Sequence, residues 1–148
     1  TMRRNFDFYE PMTVHESSLS PCVHVILASK LGYKEQAYKF YLRTARLDLD
    51  DYNNDTEEGC HITSMAGTWM SIVEGFGGMR ILDDKLSFVP RIPEQWNSYS
   101  FKVDFRNRIL KVTVTPKETS FELEGTDEMS IRVRGEKVVL TGGNVVKV

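Results

Sequence analysis

The apolar residues of this chain change their spacing once, and this change limits the fold more than any other feature of the sequence. From Leu19 to about Phe76 they recur every three or four residues, which is the period of a helix. From about Lys85 onward they alternate with polar residues, as in a half-buried strand. We therefore predict an α+β chain, with a helical segment at residues 1–82 and an antiparallel β domain at residues 83–148.

Three helices are predicted in the first segment. The first begins at Ser20-Pro21, because serine is a favoured N-cap and proline suits the first helical position, and it ends at Gly32. Its body, "CVHVILASKL", is apolar nearly all round, so we expect it to be buried on most sides. A second, amphipathic helix is expected from about residue 34 to 47. A third is expected from about residue 61 to 76.

Five later segments are predicted to be short strands separated by Gly- and Asn-containing turns. They are "SFKVDF", "ILKVTVTP", "SFELEG", "SIRVRG" and "KVVL". They follow "PRIP", a short stiff connector at residues 90–93. Strands of this number and length cannot bury one face as a single hairpin, so a small sandwich, or a sheet packed on the helices, is expected.

Composition excludes several classes of protein. The chain has 19 Lys and Arg against 21 Asp and Glu, and no basic patch, so nucleic-acid binding is disfavoured. It contains no apolar run of about 18 residues and no signal-peptide pattern, so we expect no membrane association and a cytoplasmic location. Cys22 and Cys60 are too few for a disulfide scaffold, and we expect both to be reduced, buried thiols in helical segments.

The segment "HESSLSP", residues 15–21, leads directly into the first predicted helix. Unpaired backbone N–H groups and the positive end of the helix dipole favour an anion at such a point, and Ser17 and Ser18 could donate to the same ligand. The same serines could instead satisfy local backbone donors, which is a common role of serine near a cap. The residues alone favour this structural role.

A similar pattern precedes the third predicted helix, in "EGCHITS" at residues 58–64. Gly59 permits close approach of the backbone, and His61, Thr63 and Ser64 bring an imidazole and two hydroxyls to another positive helix end. Two helix starts that converged on one point would hold a tetrahedral oxyanion. The residues alone favour a capping or core-edge role for His61 over this site.

Other sites can be drawn from the same residues, but the patterns oppose them. A metal site from Cys22, His24, Cys60 and His61 lacks a usual zinc spacing, and residues two apart on a helix point to different faces. A catalytic triad of Ser18, His61 and Asp55 lacks the strand-turn-helix that frames a nucleophilic serine. Trp69 and Trp96 could stack on a sugar, but Trp69 lies on the apolar stripe of its helix and is predicted to be core, and Trp96 is predicted to pin the sheet against the helices.

Three segments together resemble one known family. "YEPMTVHESSLSPCVH", "DTEEGCHITSMAGTW" and "FVPRIPEQWNSYSFKVDFRNRILKVTV" are similar, in order, to the C-terminal portion of the maltose, trehalose and kojibiose phosphorylases of glycoside hydrolase family 65. The similarity runs from about Tyr9 to Leu140. It implies that residues up to about Leu82 are the last helices of an (α/α)6 barrel and that the rest is a small C-terminal antiparallel β-sandwich.

The resemblance also implies a reaction and a site. Members of the family use inorganic phosphate as co-substrate, without a cofactor, to cleave an α-linked glucoside with inversion, giving β-glucose 1-phosphate and a released sugar. The motif match implies that Ser17, Ser18 and His61 bind the phosphate, with neighbours drawn from His15, Thr63 and Ser64. The family's general acid, a glutamate, lies upstream of the matched region, so no catalytic residue is expected in this chain.

This interpretation makes the chain a C-terminal fragment of an enzyme, inactive alone, whose partners are the rest of the barrel, a disaccharide and phosphate. Homo-oligomerisation of the parent and self-association of the fragment through apolar surface are also expected. Two alternatives stay open. One is a family hydrolase in which Glu16 activates water, and the other is a non-catalytic carbohydrate-binding or assembly module formed by residues 83–148.

Overall fold

The computed structural model describes all 148 residues and divides them into two compact units, Thr1–Gly75 and Phe76–Val148. The first unit is helical. The second contains two four-stranded sheets. The α+β class predicted from the change of period, with helices before an antiparallel-rich β-sandwich, is confirmed.

The first unit contains four α-helices: α1 (Met2–Tyr9), α2 (Ser20–Leu31), α3 (Lys34–Ala45) and α4 (Ile62–Met70). A π-helical turn at Ser71–Phe76 continues α4, and single 3-10 turns lie at Glu10–Met12 and Thr56–Glu58. Helix α1 was not predicted: it lies before Leu19, where the predicted helical pattern of apolar residues begins, and only Phe6 of its eight residues is buried. No helix of the chain combines the length and the apolar character that crossing a membrane requires.

Helix α2 is the centre of the helical unit. Val25 and Ala28 are fully buried and Cys22 nearly so, and Gly32 ends the helix in the left-handed conformation, with φ 83°, as predicted. The start of the helix differs from the prediction. Ser20 is its first residue and Leu19 the N-cap, and no side chain caps the helix, because the Ser20 hydroxyl is paired with His15 instead.

Helices α2 and α4 approach each other closely where Gly67 of α4 faces Cys22 of α2. A Cβ on Gly67 would stand 2.9 Å from the Cβ of Cys22, so glycine is required for this approach. Buried hydroxyls satisfy backbone carbonyls nearby: Ser29 donates to Gly75 at 2.9 Å, and Ser64 donates to Thr44 at 2.9 Å. The helical unit is thus held together by the close packing of α2 against α4 and by buried hydroxyls that are hydrogen-bonded to backbone carbonyls.

The second unit contains eight strands: β1 (Arg80–Leu82), β2 (Lys85–Phe88), β3 (Tyr99–Asp104), β4 (Ile109–Val114), β5 (Thr119–Leu123), β6 (Glu128–Val133), β7 (Glu136–Thr141) and β8 (Val145–Lys147). One sheet has the order β1-β2-β6-β7 and the other the order β3-β4-β5-β8. The five predicted segments correspond to β3 to β7. Strands β1, β2 and β8 were not predicted, because each has only three or four residues, too few to establish an alternating pattern.

All strand pairs are antiparallel except β2 and β6, which run parallel with Phe88 opposite Val133. The long connection between these two strands, which itself forms β3 to β5, makes a parallel pair possible. Inward-facing residues of the strands form the core. The rings of Phe88 and Phe121 meet at 5.3 Å between centroids and are both fully buried.

Two side-chain predictions are wrong. Cys60 is exposed, because it lies in the extended residues before α4 and not inside the helix, although both cysteines are free as expected. Trp69 is 49% exposed and does not belong to the core of this unit, because α4 packs through its opposite face, which carries Ser64 and Gly67. Trp96 is partly buried, and its ring contacts Phe76 and Tyr99 within the second unit.

Candidate functional site

The two helix starts singled out in the sequence meet in the structure. The hydroxyl oxygens of Ser18, just before α2, and Thr63, in the first turn of α4, are hydrogen-bonded at 3.2 Å although they are 45 residues apart in the chain. Each therefore lies beside the N-terminus of a helix, where backbone N–H groups are unpaired and the dipole is positive. Thr63 stands two residues after His61, the N-cap residue of α4.

Ser17 is exposed and has a local partner. Its hydroxyl oxygen accepts a hydrogen bond from the backbone N–H of Leu19 at 3.3 Å. The structural role considered from the sequence is therefore present in part. Because the hydroxyl only accepts in this bond, its own proton remains available for a ligand.

His61 is held in place by Asp48. The imidazole Nδ1–H donates to one carboxylate oxygen of Asp48 at 2.6 Å, and the backbone N–H of His61 donates to the other at 3.0 Å. On the other side of the ring, Nε2 lies 3.4 Å from a carboxylate oxygen of Asp55. The hydrogen bond to Asp48 raises the pKa of His61, and the charge of Asp55 adds to this effect. The imidazole is therefore favoured in its charged form at the start of a helix.

His15 is turned away from this surface. Its Nδ1 is hydrogen-bonded to the Ser20 hydroxyl at 2.8 Å, and its ring packs between His24 and Phe40, at 4.5 and 4.8 Å between centroids. Burial lowers the pKa of His15, and the neighbouring His24 and Arg43 add to this effect, which outweighs the opposite influence of Glu10, 3.8 Å from Nε2. The ring is thus built into the packing between α2 and α3 as a neutral group.

Of the remaining neighbours, one is exposed and one is not. The side chain of Ser64 is buried and donates to the carbonyl of Thr44, so its hydroxyl is already used. Thr63 is exposed beside Ser18. The structure therefore brings Ser18, Thr63 and His61 to the start of α4 with Ser17 nearby on the chain, while His15 and Ser64 make structural contacts.

Asp48 is the residue of this cluster that the sequence did not reveal. It stands in "DLDDYNNDTEEG", where several acidic residues are equivalent by composition. A loop of this length sets no distance between its acids and His61, so spacing could not choose among them. The one available signal was that a histidine at a helix start is usually oriented by a second group.

The contacts also bear on the alternative sites. No group of three or more His, Cys, Asp or Glu side chains is arranged to hold a metal ion. For the triad, Asp55 does approach the His61 ring, but the hydroxyl of Ser18 is bonded to Thr63. The serine-to-histidine hydrogen bond on which such a triad depends is therefore not formed.

Comparisons with known proteins extend these observations to the whole chain. Residues 1–70 match the model of the glycosyl hydrolase family 65 central catalytic domain, and residues 79–140 match the model of the family's C-terminal domain. The two matches follow the division between helices and sheets.

The relatives are phosphorylases. The chain is 57% identical over 140 residues to "Maltose phosphorylase" of Bacillus subtilis, covering 95% of this chain and 18% of that protein. It is 44% identical over 144 residues to "Alpha,alpha-trehalose phosphorylase" of Thermoanaerobacter brockii, covering 97% and 19%. A solved structure described as "Putative kojibiose phosphorylase from human microbiome" superposes with a TM-score of 0.93 and is 44% identical, covering 99% of this chain and 22% of that one.

The chain thus spans about a fifth of the length of the curated relatives it matches. The match is nevertheless continuous, since it includes nearly all of this chain and agrees with the solved structure in three dimensions. Two adjoining domain models of one family, with relatives well above 30% identity, lead to a single conclusion. The chain belongs to glycosyl hydrolase family 65.

Proposed function

We propose that this chain is the phosphate-binding part of an inverting disaccharide phosphorylase. In the parent protein, phosphate would attack an α-linked glucoside and yield β-glucose 1-phosphate and a free sugar. The observation that carries the proposal is the hydrogen bond of Ser18 to Thr63, since it brings the N-termini of two helices to one place. The names of the relatives, all phosphorylases, support the same reaction class.

Phosphate is already an anion, so it needs to be bound and aimed rather than deprotonated. Serine hydroxyls, unpaired helix N–H groups and a charged imidazole can do this by hydrogen bonds that fix the ion with one oxygen towards the sugar. We assign Ser17, Ser18 and His61 to this role, with Thr63 as a neighbour. His15 and Ser64 have structural partners and are less suited to contact the ion.

Asp48 and Asp55 have different roles in this proposal. Asp48 fixes the ring of His61 through two hydrogen bonds and favours its charged form. Asp55 faces Nε2, the nitrogen that would donate to phosphate. We expect phosphate to take the place of the Asp55 carboxylate at Nε2, which couples binding to the position of the acidic loop.

The proposal includes an acid outside this chain. An inverting reaction needs a general acid on the leaving oxygen, and the two glutamates near the site, Glu16 and Glu58, are both exposed at the surface. Neither has the enclosed environment that would make it a strong acid catalyst at neutral pH. We therefore place the acid in the rest of the parent protein and expect the isolated chain to have no activity.

The larger setting is also proposed. Residues 1–82 would complete an (α/α)6 barrel, residues 83–148 would form the C-terminal β domain, and the parent would be a cytoplasmic homo-oligomer. Phosphate would be its co-substrate, with no cofactor. The disaccharide is not assigned, because relatives that are 57%, 44% and 38% identical to the chain are named for maltose, trehalose and kojibiose respectively.

The test is an assay of the full-length parent with maltose, trehalose and kojibiose, each with and without phosphate. Cleavage that depends strictly on phosphate and releases β-glucose 1-phosphate is the expected result. Cleavage at equal rates without phosphate would show the hydrolase alternative instead. Sugar binding by the β unit in the absence of any phosphorolysis would support the non-catalytic alternative.

Variants of the same parent test the residues. We expect Ser18→Ala and His61→Asn to raise the KM for phosphate at least about tenfold, since each removes a hydrogen bond to a charged ligand. Ser100→Ala, an exposed serine of β3, is the matched control and should leave the KM unchanged. An unchanged phosphate KM in both site variants would remove these residues from the proposed site.

A further inference from the structure

A second site for an anion is suggested by a pocket in the β unit, apart from the residues discussed so far. The pocket has a volume of about 120 Å³ and lies between the "PRIP" connector at residues 90–93 and the turn that joins β4 to β5. Arg134, which follows β6, lines it as well. The connector was noted in the sequence only as a stiff link, and the proposed reaction gives this region no role.

Three cationic side chains, those of Arg91, Lys117 and Arg134, border the pocket. The one acidic side chain of the lining, that of Glu118, is paired with Lys147 at 2.8 Å. The carboxylate of Val148, the last residue of this chain, also borders the pocket and accepts a hydrogen bond from the backbone N–H of Thr119 at 2.9 Å. The pocket thus has three positive groups and two negative ones, and each negative group already has a partner in the protein.

The two guanidinium groups have most of their hydrogen-bonding capacity left. Arg91 donates from Nη1 to the carbonyl of Val89 at 3.0 Å, and Arg134 donates from Nη2 to the carbonyl of Pro90 at 3.4 Å. A guanidinium has five N–H groups, so each arginine keeps several for a ligand. Partial burial lowers the pKa of Arg91, and the neighbouring charge of Arg134 lowers it further. An anion between the two groups would relieve both effects.

The backbone around the pocket is held firmly. The hydroxyl of Thr115 accepts from the backbone N–H groups of Lys117 and Glu118, at 3.3 and 3.0 Å, and donates to the carbonyl of Glu118 at 3.0 Å. Thr119 and Val148 exchange two backbone hydrogen bonds, both of 2.9 Å. The backbone of the turn that carries Lys117 is thus fixed by hydrogen bonds before any ligand binds.

We infer that this pocket is a binding site for a small phosphate-class oxyanion, held by Arg91, Arg134 and Lys117. Guanidinium groups suit this class because they can donate two parallel hydrogen bonds to it. The ion could be inorganic phosphate or the phosphate group of a small ester. The site is independent of the proposed site at Ser18 and His61, which lies in the other unit.

The test is a titration of the 15N-labelled 148-residue chain, followed by the positions of its amide and arginine side-chain signals. Inorganic phosphate and methyl phosphate are titrated separately, against sodium chloride at equal ionic strength. We expect saturable shifts at residues 115–119, at residues 134–135 and at the side-chain Nε–H of Arg91. Saturation by inorganic phosphate alone would identify the free ion as the ligand, and saturation by both would show that the site recognises the phosphate group.

Three variants give the inference its control. Lys117→Gln and Arg134→Gln should each weaken binding about tenfold or more, as expected for loss of a charged hydrogen bond. Lys137→Gln also removes one positive charge, but at a residue of β7 outside the pocket, and it should not weaken anion binding. Lys117 is exposed, so its variant remains informative even if Arg134→Gln fails to fold.

Two results would overturn the inference. One is the absence of saturable shifts at residues 115–119 and 134–135. The other is binding that all three variants leave unchanged, or weaken equally. Shifts at residues 17–18 and 61–63 report on the proposed phosphorylase site instead, so the two ideas can fail separately in one experiment.

Discussion

Asp48 fixes both the orientation and the charge of His61, because its two carboxylate oxygens accept from the ring and from the backbone of the same residue. We predict that Asp48→Asn lowers the pKa of His61 towards its ordinary value, since an amide accepts a weaker hydrogen bond and carries no charge. Phosphate binding should weaken with it. The pKa is measured by following the ring signals of His61 in an NMR titration.

Asp50→Asn is the matched control for this change. Asp50 is in the same acidic loop and also accepts a charged hydrogen bond, but from Arg46 and not from the histidine. It should leave the titration of His61 unaltered. If the two variants change the pKa of His61 equally, the loop acts through its total charge and not through the hydrogen bonds of Asp48.

At this scale the sequence could identify donors but not their orientation. Ser17, Ser18 and His61 became candidates because they stand before helix starts, where an anion is favoured, and the family resemblance then implied that they bind phosphate. His15 and Ser64 stand in the same motifs, yet they are turned inward by Ser20 and by the Thr44 carbonyl, partners that no spacing rule specifies. Whether these residues bind phosphate stays a prediction.

The segment that leads into α2 gives the helical unit a dependence on pH. The pKa of His15 is lowered in the fold, whereas in the unfolded chain it is near 6.5, so the unfolded chain takes up the proton more readily. We predict that the helical unit loses stability as the pH falls below about 6.5, towards the lowered pKa of His15. Urea unfolding followed by circular dichroism at several pH values measures this loss.

His61 contributes in the opposite direction. The pKa of His61 is raised in the fold, so its protonation stabilises the folded chain. This stabilisation is complete at a pH below the pKa of the unfolded state, and it is lost as the pH rises through the pKa of the folded state. The variant His15→Gln should therefore reduce the loss of stability at acidic pH and leave the loss of stability at basic pH unchanged. A His15→Gln chain with the same loss at acidic pH as the parent sequence would show that other groups cause it.

Gly142, at the end of β7, has no room for a side chain. An added Cβ would overlap the carbonyl oxygen of Gly125, which is backbone and cannot move aside. We predict that Gly142→Ala destabilises the β unit by roughly 3 kcal/mol, at the upper end of the usual cost of overpacking. The free energy of unfolding in urea is the measurement.

Gly135 provides the comparison. It has φ 92° but nothing within 4 Å of an added Cβ, so Gly135→Ala meets only backbone strain, which costs about 1–2 kcal/mol. Equal losses in the two variants would mean that the contact between Gly142 and Gly125 does not limit the turn.

Among the elements, those with a clear period could be predicted and the others could not. Helices α3 and α4 and strands β3 to β7 each repeat their pattern long enough to be distinguished from the alternative. Helix α2 is the exception, since it is apolar nearly all round and was predicted from its Ser-Pro start and its end at Gly32. Helix α1 and strands β1, β2 and β8 are short, and β2 and β8 also pair with strands distant in sequence. The parallel partner of β2, for example, begins only at Glu128.

Over the whole chain, one apolar surface has no partner within its own unit. Ile62, Met65 and Trp69 lie three or four residues apart on one face of α4 and are 68%, 51% and 49% exposed. We predict that the isolated chain self-associates through this face, because contiguous apolar surface on a helix is rarely left in water. Sedimentation velocity over a range of concentrations measures the association.

The variant Met65→Lys should reduce this association, since it places a charge in the middle of the face. Val145→Lys, at an exposed valine of β8 in the other unit, adds the same charge elsewhere and should not reduce it. A wild-type chain that remains monomeric at high micromolar concentration would contradict the prediction.

The order in which the chain visits its two sheets has a consequence for how the β unit forms. Along the chain, β1 and β2 belong to the first sheet, β3 to β5 to the second, β6 and β7 to the first again, and β8 to the second. The neighbouring hairpins of β3 to β5 join residues close in sequence and can form early, whereas β2 must wait for β6 to be synthesised. Neither sheet can therefore be completed from one continuous stretch of chain. We expect the unit to acquire its stability in a single late step, and a ribosome-bound chain that ends before β6 to leave β2 unpaired.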